Sequence, residues 1–511
     1  MISRSLTLCS LSIPAFVWTS VAGCSAHSAA TAGNGAGDSQ DSGVPLNPDS
    51  GVVVDTPPAG CPGPTAGGTV TPPVGTLLAS GNSLSARGVT SDGYEIFSDD
   101  FASQLYAVPV AGGASQNIAA LGSKFWVVVV GQIVFAWSNV TDANVGALTI
   151  WSSAGGSHAI EPASFGILGS SSPDGSQVLY VGNVDSQGLT GDVFVARADG
   201  SGPTRLLQGQ QLTGCFPQLG FAGSYAIATH CDVARGDGPS ATISSFQSPG
   251  WTRTDLATNA ENVWSADTAG TIVLASSNSG VMVVPVGGGS SVTLDSSGYM
   301  GQLIQGGQLA VYSTTTGVLR RSLTAIPSPV TLGSGVGGFY GFSPSGNNVL
   351  YYQNQNQATG ATDLFLASTV APGMQQTLSS AQTAAVNGDA FTADSAYALY
   401  ATGNNVCTGA ATFNASPVTG GAAIPLGSSV WSDLSATAAK VVFTDNYVAT
   451  GGLRYGRADI ESVNLAAGAT PTLVVSQADA NIDMTPARDQ IIYSWSVQPG
   501  PLAGIYVTPV P

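Results

Sequence analysis

Lysine is almost missing from this chain: Lys124 and Lys440 are the only two, and all basic residues together number 13 against 30 acidic ones, for a formal net charge of −17 over 511 residues. Nucleic-acid surfaces neutralise phosphates with clustered Lys and Arg, so the sequence has no basic stripe and nucleic acid is excluded as a partner. Histidine stands only at His27, His158 and His230, and glutamate only at Glu95, Glu161, Glu261 and Glu461. No HExxH pair, GxSxG elbow or Walker loop is present, and neither a catalytic residue, a cofactor nor a metal is expected. What the chain has in quantity is glycine, at 66 residues, and hydrophobic residues, at 43%, with only 8% charged. That composition buries a large core and clothes its surface in Ser, Thr, Asn, Gln and Gly.

The N-terminus runs from a short basic stretch ending at Arg4, through apolar residues Leu6 to Val17, to the small residues Ser20 to Gly23 before Cys24. This is the layout of an exported signal, too short to span a membrane. Val21-Ala22-Gly23-Cys24 resembles a bacterial lipobox. The resemblance implies a signal peptide over 1–23 and a diacylated Cys24, and two acyl chains give stable anchoring. Ser25, where Asp would retain a lipoprotein in the inner membrane, implies the outer membrane of the bacterial cell envelope. Residues 24–74 are Ala, Gly, Ser, Asp and Pro, which bury too little to fold and read as a flexible tether. The twice-used Asp-Ser-Gly lacks the alternating ligands and closing Glu of a calcium loop.

From Gly75 onward turn signals and apolar strands alternate. Ser172-Pro173-Asp174-Gly175 sets a tight turn, Gln177 to Val181 and Asp192 to Ala196 read as strands, Ala198 to Gly202 as the next turn, and Thr204 to Leu207 as a short outer strand. The first half recurs in SDGYEIFS, FSPSGNNVLYY, TADSAYALYA and TPARDQIIYSW; the second in LYAVPVAGGASQNI, LTIWSSAGGSHAI, VMVVPVGGGSSVTL and FNASPVTGGAAIPL. Turn markers fall at Gly113, Gly156, Gly200, Gly250, Gly288, Pro327, Gly373, Gly421 and Gly468, about 44 residues apart, the length of a four-stranded propeller blade.

The Ser-Pro-Asp-Gly turn followed by an apolar strand resembles the PD40 or TolB-type β-propeller repeat. The expected fold is therefore all-β, a β-propeller of about ten four-stranded blades over 75–511. No linker interrupts the repeats, so one large ring is preferred to two tandem ones. The final unit lacks an outer strand, while Val74 to Ala79 looks like an outer strand without a blade. The expectation is that it pairs with Gly504 to Thr508 and closes the ring, removing an exposed sheet edge.

In such a blade the second-to-third loops share a face with the inter-blade connections. Here they include the long, polar SNVTDANVGA, GNVDSQGLTGD, THCDVARGDGPS, QNQNQATGATD and TDNYVATGGLRYGRAD, the kind of loop in which binding residues concentrate. Cys215 and Cys231 fall at that same face of one blade, so a disulfide between them is expected; the pairing of Cys61 and Cys407 stays open. Ser265 to Thr271 resembles a sialidase Asp-box but carries its glycine one place late, and reads as a blade turn. The chain also resembles the propellers of prolyl oligopeptidase-type enzymes, without their hydrolase domain. Two functions follow. The first, preferred, is an envelope-anchored binding or scaffold lipoprotein that holds a protein, peptide or glycan on a propeller face. The alternative is a carbohydrate-active enzyme, a glycosidase or polysaccharide lyase, with paired carboxylates in the funnel.

Overall fold

The computed structural model describes residues 71–166, 168–212, 217–231, 241–314, 319–323, 329–333, 337–356, 360–371, 373, 375–386, 388–403, 410–448, 456–466, 470–496 and 501–511. The signal segment, Cys24, the tether up to residue 70, Cys61, Cys215 and Cys407 lie outside these residues, as does the side chain of Cys231, which ends the strand Tyr225–Cys231.

Within them the chain is strands throughout, apart from one 3₁₀ turn at Gln305–Gly307. Each unit is an antiparallel meander of four. Blade 3, for example, is Gly169–Ser171, Gln177–Gly182, Thr190–Arg197 and Thr204–Gln211, paired in that order. Its outer strand runs four residues past the Thr204 to Leu207 expected from sequence. Blades 4 and 5 share a strand that sequence did not foretell. Thr252–Ala266 continues unbroken from the outermost position of one sheet into the innermost position of the next, with Ala260 opposite both Ala241 and Ser277. Counting that strand twice, the described residues form ten blades.

Ten apolar clusters hold them together, and each fills the gap between two neighbours. Ile96, Leu105, Val134 and Trp151 join blades 1 and 2; Phe135, Trp137, Val178 and Tyr180 join 2 and 3; the series continues to Val442, Ile460, Ile491 and Tyr493 between 9 and 10. The tenth cluster, Leu84, Phe97 and Val108 against Ile492, Ile505 and Val507, packs blade 1 on blade 10. The blades therefore form one closed ring, not two tandem ones. Each fully buried Phe, Leu or Ile in these gaps stabilises by about 1.5–3 kcal/mol.

Ring closure uses the strand expected. Thr76–Ser80 lies antiparallel on Gly504–Pro509, with Thr76 opposite Val507 and Ser80 opposite Gly504, as the fourth strand of blade 10. Tyr493 adds a clasp: its hydroxyl donates to the Val74 carbonyl at 2.5 Å and accepts the Val74 N–H at 3.0 Å. At Gly504 a Cβ would stand 2.1 Å from the Ala79 carbonyl oxygen and 2.7 Å from Leu77 Cδ1. Gly504→Ala is accordingly expected to destabilise the protein by about 1–3 kcal/mol, read as a lower denaturant midpoint, with the loss concentrated at the two chain ends in hydrogen exchange.

Candidate functional site

The two faces of the ring are built from different chemistry. On one, the first and second strands of each blade meet in a short turn, and in blades 3, 5, 7, 8 and 10 that turn satisfies itself. Ser172 accepts the Gly175 N–H at its carbonyl and the Gln177 N–H at its Oγ, 2.8 and 2.9 Å. Ser343, Thr392 and Thr485 repeat both bonds in blades 7, 8 and 10. In blade 5 Asp267 takes the same place, accepting the Thr271 and Ile272 N–H groups, so the Asp-box-like stretch is a blade turn. The hydroxyl or carboxylate is what recurs, which is why the repeats looked loose in sequence.

On the opposite face the second-to-third loops of blades 3, 7 and 9 are clamped at their base by a device that sequence reading missed. An Asn with positive φ after the second strand and an Asp in the third strand bond each other, and the Asp also accepts an N–H from the fourth strand. The sets are Asn183, Asp192 and Gly209; Asn354, Asp363 and Ala381; and Asn446, Asp459 and Gln477. The visible signal was an Asn followed 9, 9 and 13 residues later by an Asp that opens an apolar strand.

Above these clamps, the described loops are organised rather than loosely solvated. In blade 3 Asp185 accepts the Gln187, Leu189 and Thr190 N–H groups and the Thr190 hydroxyl. The Thr190 hydroxyl and these N–H donors draw its pKa down to about 2 and present Leu189 to solvent. In blade 1 Asp99 accepts the N–H groups of Phe101 and Ala102 at 3.1 and 3.0 Å, and Phe101 stands 93% exposed. Leu502 of blade 10 is exposed too. The connector between the two loops is tied to both: the Gly81 N–H donates to the Ala503 carbonyl, and the Asp100 N–H to the Ser83 carbonyl. Further round the face Trp431 and Tyr447 stack with centroids 4.6 Å apart. Of the five long loops singled out in sequence, SNVTDANVGA and GNVDSQGLTGD are fully described, while the other three fall partly outside the described residues.

Carboxyl groups also meet inside the ring, but between sheets. Arg488, in the blade 10 turn, reaches past the Ser435 carbonyl of blade 9 to Asp389 of blade 8, with Nη1 to Oδ2 at 2.5 Å. Asp389 Oδ2 also accepts the Ser435 N–H at 2.7 Å. Beside it Asp433 is buried with Oδ2 unpartnered; burial pushes its pKa well above the usual carboxylate range, and the Asp389 charge pushes the same way. At the loop end of blade 9, burial lifts Asp479 to about 7 against the Ser496 hydroxyl bond and the Arg457 charge. These groups lie at the contacts between neighbouring blades. Among the described residues no group of three or more His, Cys, Asp or Glu side chains is placed to hold a metal ion.

The remaining sequence candidates have ordinary surroundings. His158 Nε2 lies 2.8 Å from the Gly155 carbonyl at the surface. His230 is buried, its Nε2 2.9 Å from Ser244 Oγ, whose hydroxyl donates to Asp255. With Ser244 standing between the two, this is not the order in which a histidine activates a serine. Glu261 lies on the shared strand Thr252–Ala266.

No family model and no curated protein matches the chain. Similar solved structures include the tricorn protease, at 11% identity and a TM-score of 0.27 over 84% of this chain and 52% of that one. An oligogalacturonate lyase in complex with manganese shows 12% identity and a TM-score of 0.32 over 66% and 98% of the two chains. TolB from Acinetobacter baumannii shows 15% and 0.27 over 49% and 63%. This chain thus spans about half the tricorn protease chain and under two thirds of TolB. Likeness at this level concerns the fold and is silent on the site.

Two outcomes test the buried acids. Arg488→Ala is expected to cost about 1–2 kcal/mol, less than a fully buried pair because Arg488 is partly exposed, measured by urea unfolding at neutral pH. For Asp479 the folded state binds the proton more tightly than the unfolded one. Its contribution is therefore complete below the ordinary value of 3.8 and lost as pH rises through about 7. Asp479→Asn should flatten the fall in melting temperature between about pH 4 and 7.

Proposed function

We propose that the protein is an envelope-anchored binding or scaffold lipoprotein whose loop face holds a protein or peptide. The observation that carries this reading is Phe101, a nearly fully exposed aromatic side chain held on an Asp99-organised loop. Exposing a phenyl ring to water is unfavourable, and fixing its backbone adds an entropic cost that a free loop would avoid. Both are offset when a partner covers it, and a preorganised aromatic anchor loses little further freedom on binding. Leu502 and Leu189 extend the same face, and the carboxylates around them, with the net charge of −17, favour a partner with basic residues at its rim.

Anchoring follows from the lipobox-like Val21 to Cys24 and the tether behind it. Among the described residues no helix is long and apolar enough to cross a membrane. In the native host, Cys24→Ala should abolish fatty-acid labelling and release the protein from membranes; continued labelling would overturn the anchor. The expected Cys215–Cys231 disulfide is tested by mass mapping of unreduced peptides.

Binding is tested by probing peptide and glycan arrays with the mature chain and with Phe101→Ala. The reading predicts discrete peptide hits weakened about tenfold or more by Phe101→Ala, and unchanged by Asp199→Asn on the turn face. Hits confined to glycans and indifferent to Phe101 would transfer the role to another surface.

A further inference from the structure

The seam between the first and last blades contains a polar group that ring packing leaves unsatisfied. Glu95 lies in the second strand of blade 1, at the turn-face end, opposite Val89 and Val108. It is 0% exposed, and neither carboxyl oxygen has a well-formed hydrogen bond, the Arg87 backbone N–H being the donor beside it. Phe97, two residues on and so on the same side of the strand, belongs to the apolar cluster packed on blade 10. Across the seam Asp483, on the innermost strand Ile482–Met484, sits opposite Ile492 of that same cluster and so turns toward blade 1.

The other charged and titratable groups of the two blades are engaged elsewhere; Asp92, in the blade 1 turn before Glu95, accepts the Ser153 hydroxyl of blade 2. Arg87 gives its guanidinium to Ser98 and Asp100 and lies over the Phe125 ring. Asp99, at the loop end of the strand, holds Ser83, Phe101 and Ala102. Arg488 reaches Asp389, Asp489 accepts the Thr485 hydroxyl, Asp479 accepts Ser496, Tyr493 clasps Val74, and Tyr506 donates to the Leu502 carbonyl. Tyr94 packs edge-on against Trp151 of blade 2, and Tyr106 stacks on Phe97. Burial raises Glu95 well above the carboxylate range, the Asp483 charge adds to this, and the nearby Arg87 N–H offsets only part; burial lifts Asp483 to about 6.

We propose that ring closure is a proton-controlled lock, tight while Glu95 is neutral and loosened when it becomes charged in the gap beside Asp483. Two facing carboxylates at an apolar gap repel; Glu95 loses hydration it cannot replace, while Asp483 is half-buried. Because both carboxyls hold their protons more tightly in the closed ring, closure is complete in acid and weakens as pH rises through about 6 and beyond. The loosened state frees Thr76–Ser80 and the edge of Gly504–Pro509, the one joint where the ring is closed by chain ends.

Hydrogen exchange on the full chain between about pH 5.5 and 8.5, corrected for the intrinsic pH dependence of exchange, tests this. In the wild type, opening at Thr76–Ser80 and Gly504–Pro509 should rise by up to about tenfold per pH unit, while the reference strand Gln177–Gly182 stays flat. Glu95→Gln should abolish the rise above about pH 6.5, while Asp483→Asn removes the repulsion but leaves Glu95 buried and should reduce the slope over this range, and either variant suffices if the other fails to fold. The proposal is overturned if seam and reference change together, if a folded variant keeps the wild-type slope, or if added calcium or manganese restores protection at high pH, which would make the acids cation ligands.

Discussion

Burial of apolar sheet faces against each other is the interaction on which everything else in this molecule depends. Each blade is a four-stranded sheet with two apolar faces, and neither is covered until a neighbour stands on it. A linear stack would leave two faces bare. A ring leaves none, provided the last blade meets the first, and the cluster of Leu84, Phe97, Ile492 and Ile505 shows that they meet. The closing strand Thr76–Ser80 then serves two purposes, completing the hydrogen bonding of blade 10 and tying the ends of a long chain into one cooperative body.

With the core committed to blade contacts, function falls to what the ring displays. One face carries turns whose hydroxyl or carboxylate at the first position consumes the local N–H groups, leaving little to offer a partner. The other carries loops that are pinned at their bases by Asn–Asp bonds and shaped above by Asp99 and Asp185. In blade 1 the Asp99 carboxylate, accepting the Phe101 and Ala102 N–H groups, organises the loop that carries the exposed Phe101. Asp433 and Asp479 sit where charge is disfavoured, so they link the packing of blades 8 to 10 to pH.

Much of the fold was legible because blades repeat their punctuation. Pro173, Gly175 and Gly200 mark turns by backbone chemistry that few other residues supply, and the strand missing at the C-terminus could be matched to the spare one near Leu77. The strand bridging blades 4 and 5 was not legible, since nothing in Thr252–Ala266 marks the point where one sheet hands over to the next. The Asn–Asp clamps escaped notice because their partners lie 9 to 13 residues apart across loops of unequal length. Glu95 was hidden for a further reason. It sits in an alternating strand, where a glutamate reads as the solvated position, and only the arrival of blade 10 from the far end of the chain buries it. Phe101, likewise, looks like a core residue until its loop is folded.

The single closed ring is the claim on which the face assignments rest, and a cross-link between the chain ends tests it directly. Leu77 and Tyr506 stand opposite each other in the closing pair. With Leu77→Cys and Tyr506→Cys introduced together, mild oxidation should join the two peptides in high yield in the folded protein, as mass mapping would show, and not in the unfolded one. Failure to join, with the thiol introduced by Leu77→Cys instead trapped near a blade from the middle of the chain, would contradict the ring and divide the molecule into two propellers.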